Sequence, residues 1–311
     1  MRFSVYQESQ IGGRKSNQDR MGYCFTRDAL LLLLADGMGG HIQGEAAATI
    51  AMQTMGAFFQ ESAKPTIKKP ARFLEDGFFA AHREIHRYRT VNNLPETPRT
   101  TIVACLIQHG SAVWAHCGDS RLYWMRSGQI LARTRDHSRI EALIAQGKVD
   151  AAERDTHPER NKLFNCLGAP TPPKVELSRQ AALQAGDLLL LCSDGLWSTV
   201  PDEALARELH GNTIVRAVPA LVRAATDTAG KRSDNVTALA MMWEGANNLE
   251  NTTTISTDLL RPGMMTSTIH APRPAELEDA DPFSDSEIEK AIEEIRDAID
   301  KSSRLTSKTQ L

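Results

Sequence analysis

Two apolar stretches of the chain end in the same unusual way, with an aspartate followed directly by glycine. Five leucines at residues 30–34 lead through alanine into Asp36-Gly37, and four leucines at 188–191 lead through Cys-Ser into Asp194-Gly195. Such runs predict strands that are buried on both faces. A buried carboxylate without a partner costs several kcal/mol, so each aspartate needs a cation or hydrogen-bond donors at the end of its strand.

Three more aspartates have comparable positions in the chain. Asp19 and Asp234 precede predicted strands, and Asp119 lies in a predicted tight turn between two strands. For any one of them the alternative is a turn-capping aspartate. If all five share one site, their repulsion has to be cancelled by cations, and oxygen ligands suit Mg²⁺ or Mn²⁺.

Two such ions can lower the pKa of a water molecule between them, and an arginine can orient a phosphate by paired hydrogen bonds. Arg14 lies five residues before Asp19 and could serve in this way. Within the sequence there is no His/Cys cluster with zinc-type spacing. The residues by themselves therefore predict metal-assisted hydrolysis of a phosphoryl group.

The helices and strands that must position these residues alternate along the first 244 residues. Hydrophobic periodicity predicts helices over 45–59 and 71–89, and Pro219 either begins or interrupts a later helix. Turns at "HGS" and "RSG" predict a meander of antiparallel strands. The predicted strands are residues 2–6, 22–26, 30–35, 100–108, 112–117, 122–126, 129–134, 174–177, 188–192 and 236–243. Antiparallel strands with grouped helices favour sheets in the middle and helices outside.

Length and composition set broad limits on the class of protein. The 311 residues allow two domains or one large one, and the net charge of -3 gives no indication of a nucleic-acid or membrane partner. No apolar run is long enough to span a membrane and no signal peptide is evident, which predicts a cytoplasmic protein. The five scattered cysteines are interpreted as reduced, buried residues.

Composition changes near residue 245. We predict a compact domain over 1–244, a disordered Thr/Pro-rich linker over 245–283, an amphipathic helix over 284–302 and a disordered end over 303–311. Ser284 and Glu287 form a capping box, and isoleucines at 288, 292, 295 and 299 form one apolar stripe. This stripe predicts docking onto the chain's own domain or onto a partner, with a frayed, solvated helix as the alternative.

Seven motifs in order resemble those of a known family. They are "GGRKSNQDR", "ADGMGGHIQGEAAA", "HCGDSRLY", "TRDHS", "HPERNKLFNCLG", "LLLLCSDGLWSTV" and "SDNVTALAM". In order and spacing they resemble the metal-dependent Ser/Thr protein phosphatases, the PPM or type 2C family, in its bacterial form. The resemblance covers about residues 3–243, and the five acidic motifs together are very specific.

The resemblance implies an α+β fold, a four-layer α-β-β-α sandwich with two central, mostly antiparallel sheets and a largely disordered C-terminal tail with one short helix. It also implies two Mn²⁺ or Mg²⁺ ions, with a third, weaker one in bacterial members. Asp36 would bridge two ions and the Gly37 carbonyl would bind the first. Asp194 and Asp234 would hold the second, and Asp119 with Asp194 the third.

Further roles follow from the same resemblance. Asp19 would bind metal through water or support the ligands, Arg14 would bind the phosphate, and Asn235 would brace the metal-binding loop. Arg14, Asp36 and Asp119 are thus the predicted catalytic residues. Residues 140–168 resemble a mobile flap beside the site, which affects substrate choice in the family.

The family's reaction implies that a metal-bridging water attacks phosphoserine or phosphothreonine directly, without a covalent phosphoenzyme. The expected substrates are phosphorylated proteins, including those of a cognate bacterial Ser/Thr kinase or the kinase itself. Two departures bear on this expectation. Met38 stands where animal members have a histidine proposed as proton donor, which leaves a water near Asp119 or His41 for that role. Gln18 replaces a glutamate ligand of some members, so the carboxylate role passes to Asp19.

Two other functions remain open from the sequence. A regulatory binding module could retain the fold and use the tail as its interaction arm, but such a protein is expected to lack at least one of Asp36, Asp194 and Asp234. A hydrolase of small phosphoesters would retain the same acids. The presence of all three acids favours an enzyme.

Overall fold

The computed structural model describes residues 1–38, 43–150, 153–154, 157–159 and 162–245. Gly245, the first residue of the predicted linker, is the last residue of the final strand, and the rest of the linker, the C-terminal helix, the chain end and His41 lie outside the described residues. Along the chain the elements are β1 (Arg2–Gln10), β2 (Asp19–Phe25), β3 (Ala29–Asp36), α1 (Gly44–Ser62), α2 (Pro70–Val91), β4 (Ile102–Gln108), β5 (Ser111–Cys117), β6 (Arg121–Arg126), β7 (Gln129–Arg133), α3 (Arg139–Ala145), β8 (Glu176–Leu177), β9 (Ala181–Ala182), β10 (Leu188–Cys192), α4 (Asp194–Trp197), α5 (Asp202–Gly211), α6 (Ile214–Ala229), a short 3₁₀ helix (Gly230–Arg232) and β11 (Val236–Gly245).

The strands form two sheets in which every described pair is antiparallel. Sheet I has the order β1-β11-β10-β6-β7, and sheet II has the order β2-β3-β4-β5-β8 with β9 beside β5. Helices α1 and α2 cover sheet II, and α4, α5 and α6 cover sheet I. The α+β class and the four-layer α-β-β-α arrangement predicted from the resemblance are confirmed.

The leucine strands are buried on both faces because each has a helix layer on one side and the other sheet on the other. Leu31 and Leu33 of β3 pack with α1 and α2, whereas Leu30, Leu32 and Leu34 fill the space between the sheets. In β10, Leu188 and Leu190 face the helices while Leu189 and Leu191 face sheet II. Alternation of side chains along a strand thus places an all-leucine run in two separate cores.

One prediction about the strands is wrong. The hairpins β4–β5 and β6–β7 do form, but they do not make a single meander, because β5 belongs to sheet II and β6 to sheet I. The segment around Asp119 is therefore a crossover between sheets and not a hairpin turn. Burying both faces of both sheets requires the chain to change sheet. The undecided Pro219 lies inside α6.

Candidate active site

Six of the seven predicted site residues line one cleft at the ends of the strands, and the seventh, Asp19, lies behind it. This cleft has a volume of about 520 Å³, and its lining includes Arg14, Asp36, Gly37, Asp119, Asp194 and Asp234. A second cleft, of about 310 Å³, shares Arg14, Asp119, Asp194 and Asp234 with the first. Asp19 lies directly opposite Asp36 on the neighbouring strand. The structure thus brings together all seven residues singled out from the sequence.

The main chain of Asp36 is fixed by hydrogen bonds, and the residue lines the cleft. Its carbonyl accepts hydrogen bonds from the Thr101 N–H and the Thr100 hydroxyl, both at 2.8 Å. Its own N–H donates to the Thr101 hydroxyl at 3.2 Å. These bonds hold the end of β3 against the start of β4. The carboxylate is therefore placed by a sheet and not by a free loop.

Asp19 is fully buried, and only one of its two carboxylate oxygens accepts a hydrogen bond. Its Oδ2 accepts a hydrogen bond from the Ser193 hydroxyl at 2.8 Å, whereas its Oδ1 has no hydrogen-bond partner. An orphaned, buried carboxylate oxygen is costly, and in native proteins it calls for a water or an ion. Asp19 is thus positioned by Ser193, which immediately precedes Asp194.

Gly37 is required by the close approach of two chain segments. A Cβ atom on Gly37 would lie 2.5 Å from the main-chain carbon and oxygen of Gly44, and 2.9 Å from the Gln18 carbonyl oxygen. The Gly37 N–H donates to that Gln18 carbonyl at 3.2 Å. Only glycine leaves room for the start of α1 beside the end of β3. Gly195 is constrained in the same way, because its Cβ would lie 2.2 Å from the Asn235 carbonyl oxygen.

Asp194 and Asp234 lie at the ends of neighbouring strands of sheet I. Asp194 begins α4 immediately after β10, and Asp234 precedes β11. Asn235, next to Asp234, holds the segment between β1 and β2: its amide donates to the carbonyls of Ile11 at 2.8 Å and Ser16 at 3.0 Å. Its Oδ1 accepts the Gln18 N–H at 2.8 Å. These three bonds fix residues 11–18 beside Asp234.

Arg14 is paired within the site. Its Nη2 lies 2.5 Å from the Asp234 Oδ2, and its side chain is about half exposed. The hydrogen bond to Asp234, together with the charge of that carboxylate, raises the pKa of Arg14. The arginine thus lies at the mouth of the cleft as a counter-charge to the carboxylates.

Asp119 reaches the site from the crossover between the sheets. Its side chain is buried, and the next residue, Ser120, shares a 2.6 Å hydrogen bond with the Thr101 hydroxyl. The Gly118 main chain is bound to His137 on both sides: the Gly118 carbonyl accepts the His137 N–H at 2.9 Å, and the Gly118 N–H donates to the His137 Nδ1 at 3.2 Å. Asp119 is consequently anchored to both sheets.

Crowding of the carboxylates shows in their proton affinities. Burial raises the pKa of Asp19 to about 6, and burial together with the charge of Asp136 raises the pKa of Asp119 to about 7. Asp36 and Asp194 keep a small exposed edge, yet loss of water and repulsion from the other acids raise the pKa of each well above its usual value. Opposite charge is therefore needed before all these groups ionise together.

The donor set fits hard divalent cations. It consists of carboxylate and main-chain oxygens, with one buried carboxylate oxygen unpartnered, and it matches the preference of Mg²⁺ and Mn²⁺ for oxygen. Asp36, Asp194, Asp234, Asp119 and the Gly37 carbonyl could hold such ions, with Asp19 directly behind Asp36.

A second group of potential ligands lies behind the Asp119 crossover. His116, His137 and Glu176 come together there, and the two imidazole rings are stacked 4.5 Å apart. The His137 Nδ1 accepts hydrogen bonds from Gly118 and from the Asn165 amide, so its proton is on Nε2, facing Glu176 at 3.3 Å. A protonated nitrogen cannot ligate a metal. We therefore interpret this group as a support for the crossover.

Several residues that hold the site were not identified from the sequence. Thr101 and Ser193 carry hydrogen bonds to the acids, and Asp136 forms a buried ion pair with Arg121 at 2.7 Å. Trp197 also belongs to this group, because its indole nitrogen donates to the Asp119 carbonyl at 2.9 Å. The only sequence signal was their position beside the predicted acids, in "CSDG", "DHS" and "DGLW".

Comparison with known proteins agrees with this geometry. The family model "Protein phosphatase 2C" matches residues 7–232. The chain is 30% identical over 230 residues to the serine/threonine phosphatase stp of Listeria innocua, spanning 73% of this chain and 90% of that protein. The crystal structure of Stp1 from Staphylococcus aureus is similar with a TM-score of 0.71 and 30% identity, covering 79% of this chain and 96% of that one.

The chain therefore belongs to the protein phosphatase 2C family and is a serine/threonine phosphoprotein phosphatase. A further similar structure is the catalytic domain of PstP in complex with two manganese ions, at 28% identity and a TM-score of 0.65 over 77% of this chain and 97% of that one. That similar protein thus binds manganese. Among the described residues, no helix is both long and apolar enough to cross a membrane.

Proposed function

We propose that this chain hydrolyses phosphoserine and phosphothreonine in proteins by direct attack of water, without a phosphoenzyme, and that it does so with two Mn²⁺ or Mg²⁺ ions and a third, weaker one. The observation that carries the proposal is the convergence of four aspartates in one cleft, with a fifth, Asp19, directly opposite Asp36 and with its Oδ1 buried and unpartnered. Asp36, Asp194, Asp234 and the Gly37 carbonyl would hold the first two ions, and Asp119 with Asp194 the third.

Bound ions of this kind supply positive charge that polarises a phosphate ester and lowers the pKa of water, so that hydroxide is available to attack near neutral pH. The protein residues orient and balance the charges around the substrate. Arg14 lies at the mouth of the cleft, where its guanidinium can bind phosphate oxygens as a fork once Asp234 has another counter-ion. Asp19 binds Ser193 beside Asp194, and Asn235 holds residues 11–18 beside Asp234.

Direct attack by water is favoured by the state of the cysteines. All five are buried and free of disulfides. Burial raises the pKa of Cys166 to about 11 and that of Cys24 to about 12, and it raises the pKa of Cys105, Cys117 and Cys192 as well. None of them is a thiolate near neutral pH, so none is a ready nucleophile for a covalent intermediate.

The test is hydrolysis of a phosphothreonine peptide by the purified full chain with Mn²⁺, with Mg²⁺ and with EDTA. Asp36→Asn and Asp194→Asn are expected to lower kcat/KM at least a thousandfold, because each removes a charge that the ions require. Asp227→Asn, an exposed acid on α6, is the control and should match the wild type. No turnover by a folded wild type in Mn²⁺ would contradict the proposal.

The preference for proteins over small phosphoesters needs its own comparison. The same preparations should hydrolyse the phosphopeptide with a higher kcat/KM than p-nitrophenyl phosphate, because a peptide can also contact residues beside the cleft such as Leu163. A reversed preference would favour a small-molecule substrate. We further propose that the protein acts in the cytoplasm against the products of a Ser/Thr kinase, and that residues 284–302 dock onto the chain's own domain or onto a partner.

A further inference from the structure

We propose that Trp197 is a positioning residue that fixes the Asp119 crossover relative to Asp194 and thereby sets how tightly this pair of aspartates binds a divalent ion. The inference rests on the proposed function, since it concerns the same acidic site. Trp197 does not line the cleft that contains Asp36, but it lines the neighbouring cleft of about 310 Å³ together with Asp119 and Asp194. An indole N–H is a donor only and offers no ligand atom to a cation, so its effect would pass through the two segments that it connects.

The first link is a hydrogen bond between the two acidic segments. Trp197 is the last residue of α4, the short helix that begins at Asp194. The Ser198 N–H donates to the Asp194 carbonyl at 2.9 Å and closes this turn. The indole nitrogen of Trp197 donates to the Asp119 carbonyl, also at 2.9 Å. One side chain thus joins the turn of Asp194 to the main chain of Asp119.

The second link is a stacked arginine. The Arg121 guanidinium carbon lies 3.6 Å from the centre of the Trp197 ring, a distance typical of cation–π contact. Arg121 is held in place by two hydrogen bonds to Asp136, at 2.8 and 2.7 Å, and both side chains are almost completely buried. Because Arg121 follows Asp119 by two residues, the indole contacts the crossover at two points.

A tie of this kind matters because the two carboxylates repel each other. Among the charges around Asp194, that of Asp119 makes the largest contribution to raising its pKa. In the absence of an ion, repulsion favours a wider separation of the loops. The contacts of Trp197 oppose that movement and keep Asp119 and Asp194 close enough for one ion to bind both carboxylates. The entropy cost of ordering the two segments on ion binding is therefore smaller.

The test uses one substitution at two tryptophans. Trp197→Phe keeps a ring against Arg121 and removes the indole N–H. Trp124→Phe is the matched control, because the Trp124 indole donates to Asp187 at 3.0 Å on sheet I, and neither Trp124 nor Asp187 lines either acidic cleft. Mn²⁺ binding to the full chain is measured by calorimetry and by the electron paramagnetic resonance of free Mn²⁺, without substrate.

Loss of one hydrogen bond corresponds to roughly a fivefold change in a binding constant. We expect Trp197→Phe to weaken Mn²⁺ binding at the weakest site about fivefold, with the thermal midpoint of the EDTA-treated protein within about two degrees of the wild type. Phosphopeptide kcat should recover at saturating Mn²⁺. Trp124→Phe should bind Mn²⁺ as the wild type does.

Unchanged Mn²⁺ binding by Trp197→Phe, or an equal loss in Trp124→Phe, would overturn the inference. Since binding is measured without turnover, the two proposals can fail separately. A wild type that binds Mn²⁺ but does not hydrolyse the phosphopeptide would contradict the proposed function, and the tryptophan comparison would still decide the role of Trp197. A wild type that binds no Mn²⁺ would overturn both.

Discussion

Asp19 and Asp36 face each other directly across the β2–β3 ladder, with one oxygen of the buried Asp19 left without a hydrogen-bond partner. Like charges in directly opposed positions destabilise a sheet. Here Asp194, Asp119 and Asp234 add to the repulsion on Asp36. The metal-free fold therefore carries a strain that bound cations would relieve, and stability and function should respond in opposite directions when an acid is removed.

Asp36→Asn should stabilise the protein in EDTA while it removes activity. The substitution keeps the shape of the side chain and deletes the charge that opposes Asp19. We expect a gain of about 1 to 2 kcal/mol in the free energy of unfolding, seen as a rise of a few degrees in thermal midpoint for a domain of this size. Urea denaturation in EDTA measures it. Asp227→Asn should leave the midpoint unchanged, and a loss of stability in Asp36→Asn would contradict the explanation.

The metal-free protein should lose stability as the pH rises from about 4 to 7. Asp19 and Asp119 have pKa values of about 6 and about 7 in the folded state, above the usual value of 3.8. Between those limits the folded protein holds protons that the unfolded chain has released, so a rise in pH favours unfolding. For Asp19 the effect is on the order of 3 kcal/mol.

This dependence can be isolated by comparison with Asp19→Asn, which lacks the titrating group. In EDTA the difference in unfolding free energy between Asp19→Asn and the wild type should grow from pH 4 to pH 7. Saturating Mn²⁺ should reverse the slope, because ions bind the deprotonated carboxylates. A difference that stays constant over this range would show that Asp19 is not strained in the folded protein.

Gly37→Ala should destabilise the protein and inactivate it together. The added methyl group would lie 2.5 Å from the Gly44 main chain, so either β3 or the start of α1 has to move. A cost of about 3 kcal/mol is expected for such overpacking. Gly211→Ala is the control, because a Cβ at Gly211 meets no atom within 4 Å. Equal stability of the two variants, measured by urea denaturation, would refute the close approach at Gly37.

Much of the site could be predicted because it lies at the ends of buried strands, which are recognisable in the sequence as apolar runs. Leu30–Leu34 required a strand covered on both sides, and the aspartate after it had to be exposed to a ligand. The same logic located Asp194 after β10. The position of Asp19 follows from the strand register, since pairing of β2 with β3 places Asp19 opposite Asp36.

Long-range relations were not predictable in the same way. The hairpins β4–β5 and β6–β7 were identified locally, yet nothing in either turn indicates that Cys117 and Arg121 belong to different sheets. The buried Arg121–Asp136 pair and the contact from Trp197 to Asp119 depend on that crossover. Pairing of distant residues is set by how layers pack, and a single sequence does not display it.

The buried ion pair of Arg121 and Asp136 leads to the last prediction. Both side chains are almost fully buried, and Asp136 accepts two hydrogen bonds from the guanidinium. Asp136→Asn would leave a buried guanidinium without its counter-charge, and breaking one partner of such a pair typically costs 3 to 5 kcal/mol. The exposed pair of Arg72 and Asp76 on α2 offers the contrast, since Asp76→Asn should cost less than about 0.5 kcal/mol.

Urea denaturation of Asp136→Asn and Asp76→Asn compares the two losses of stability. A third variant replaces both Arg121 and Asp136. In Arg121→Met with Asp136→Leu the buried charge is gone, so much of the lost stability should return even though the contacts of Arg121 with Trp197 and Tyr123 are removed. If Asp136→Asn and Asp76→Asn cost the same, the pair is not a structural support of the Asp119 crossover. If the double variant is no more stable than Asp136→Asn, the cost lies in the loss of those contacts and not in an uncompensated charge.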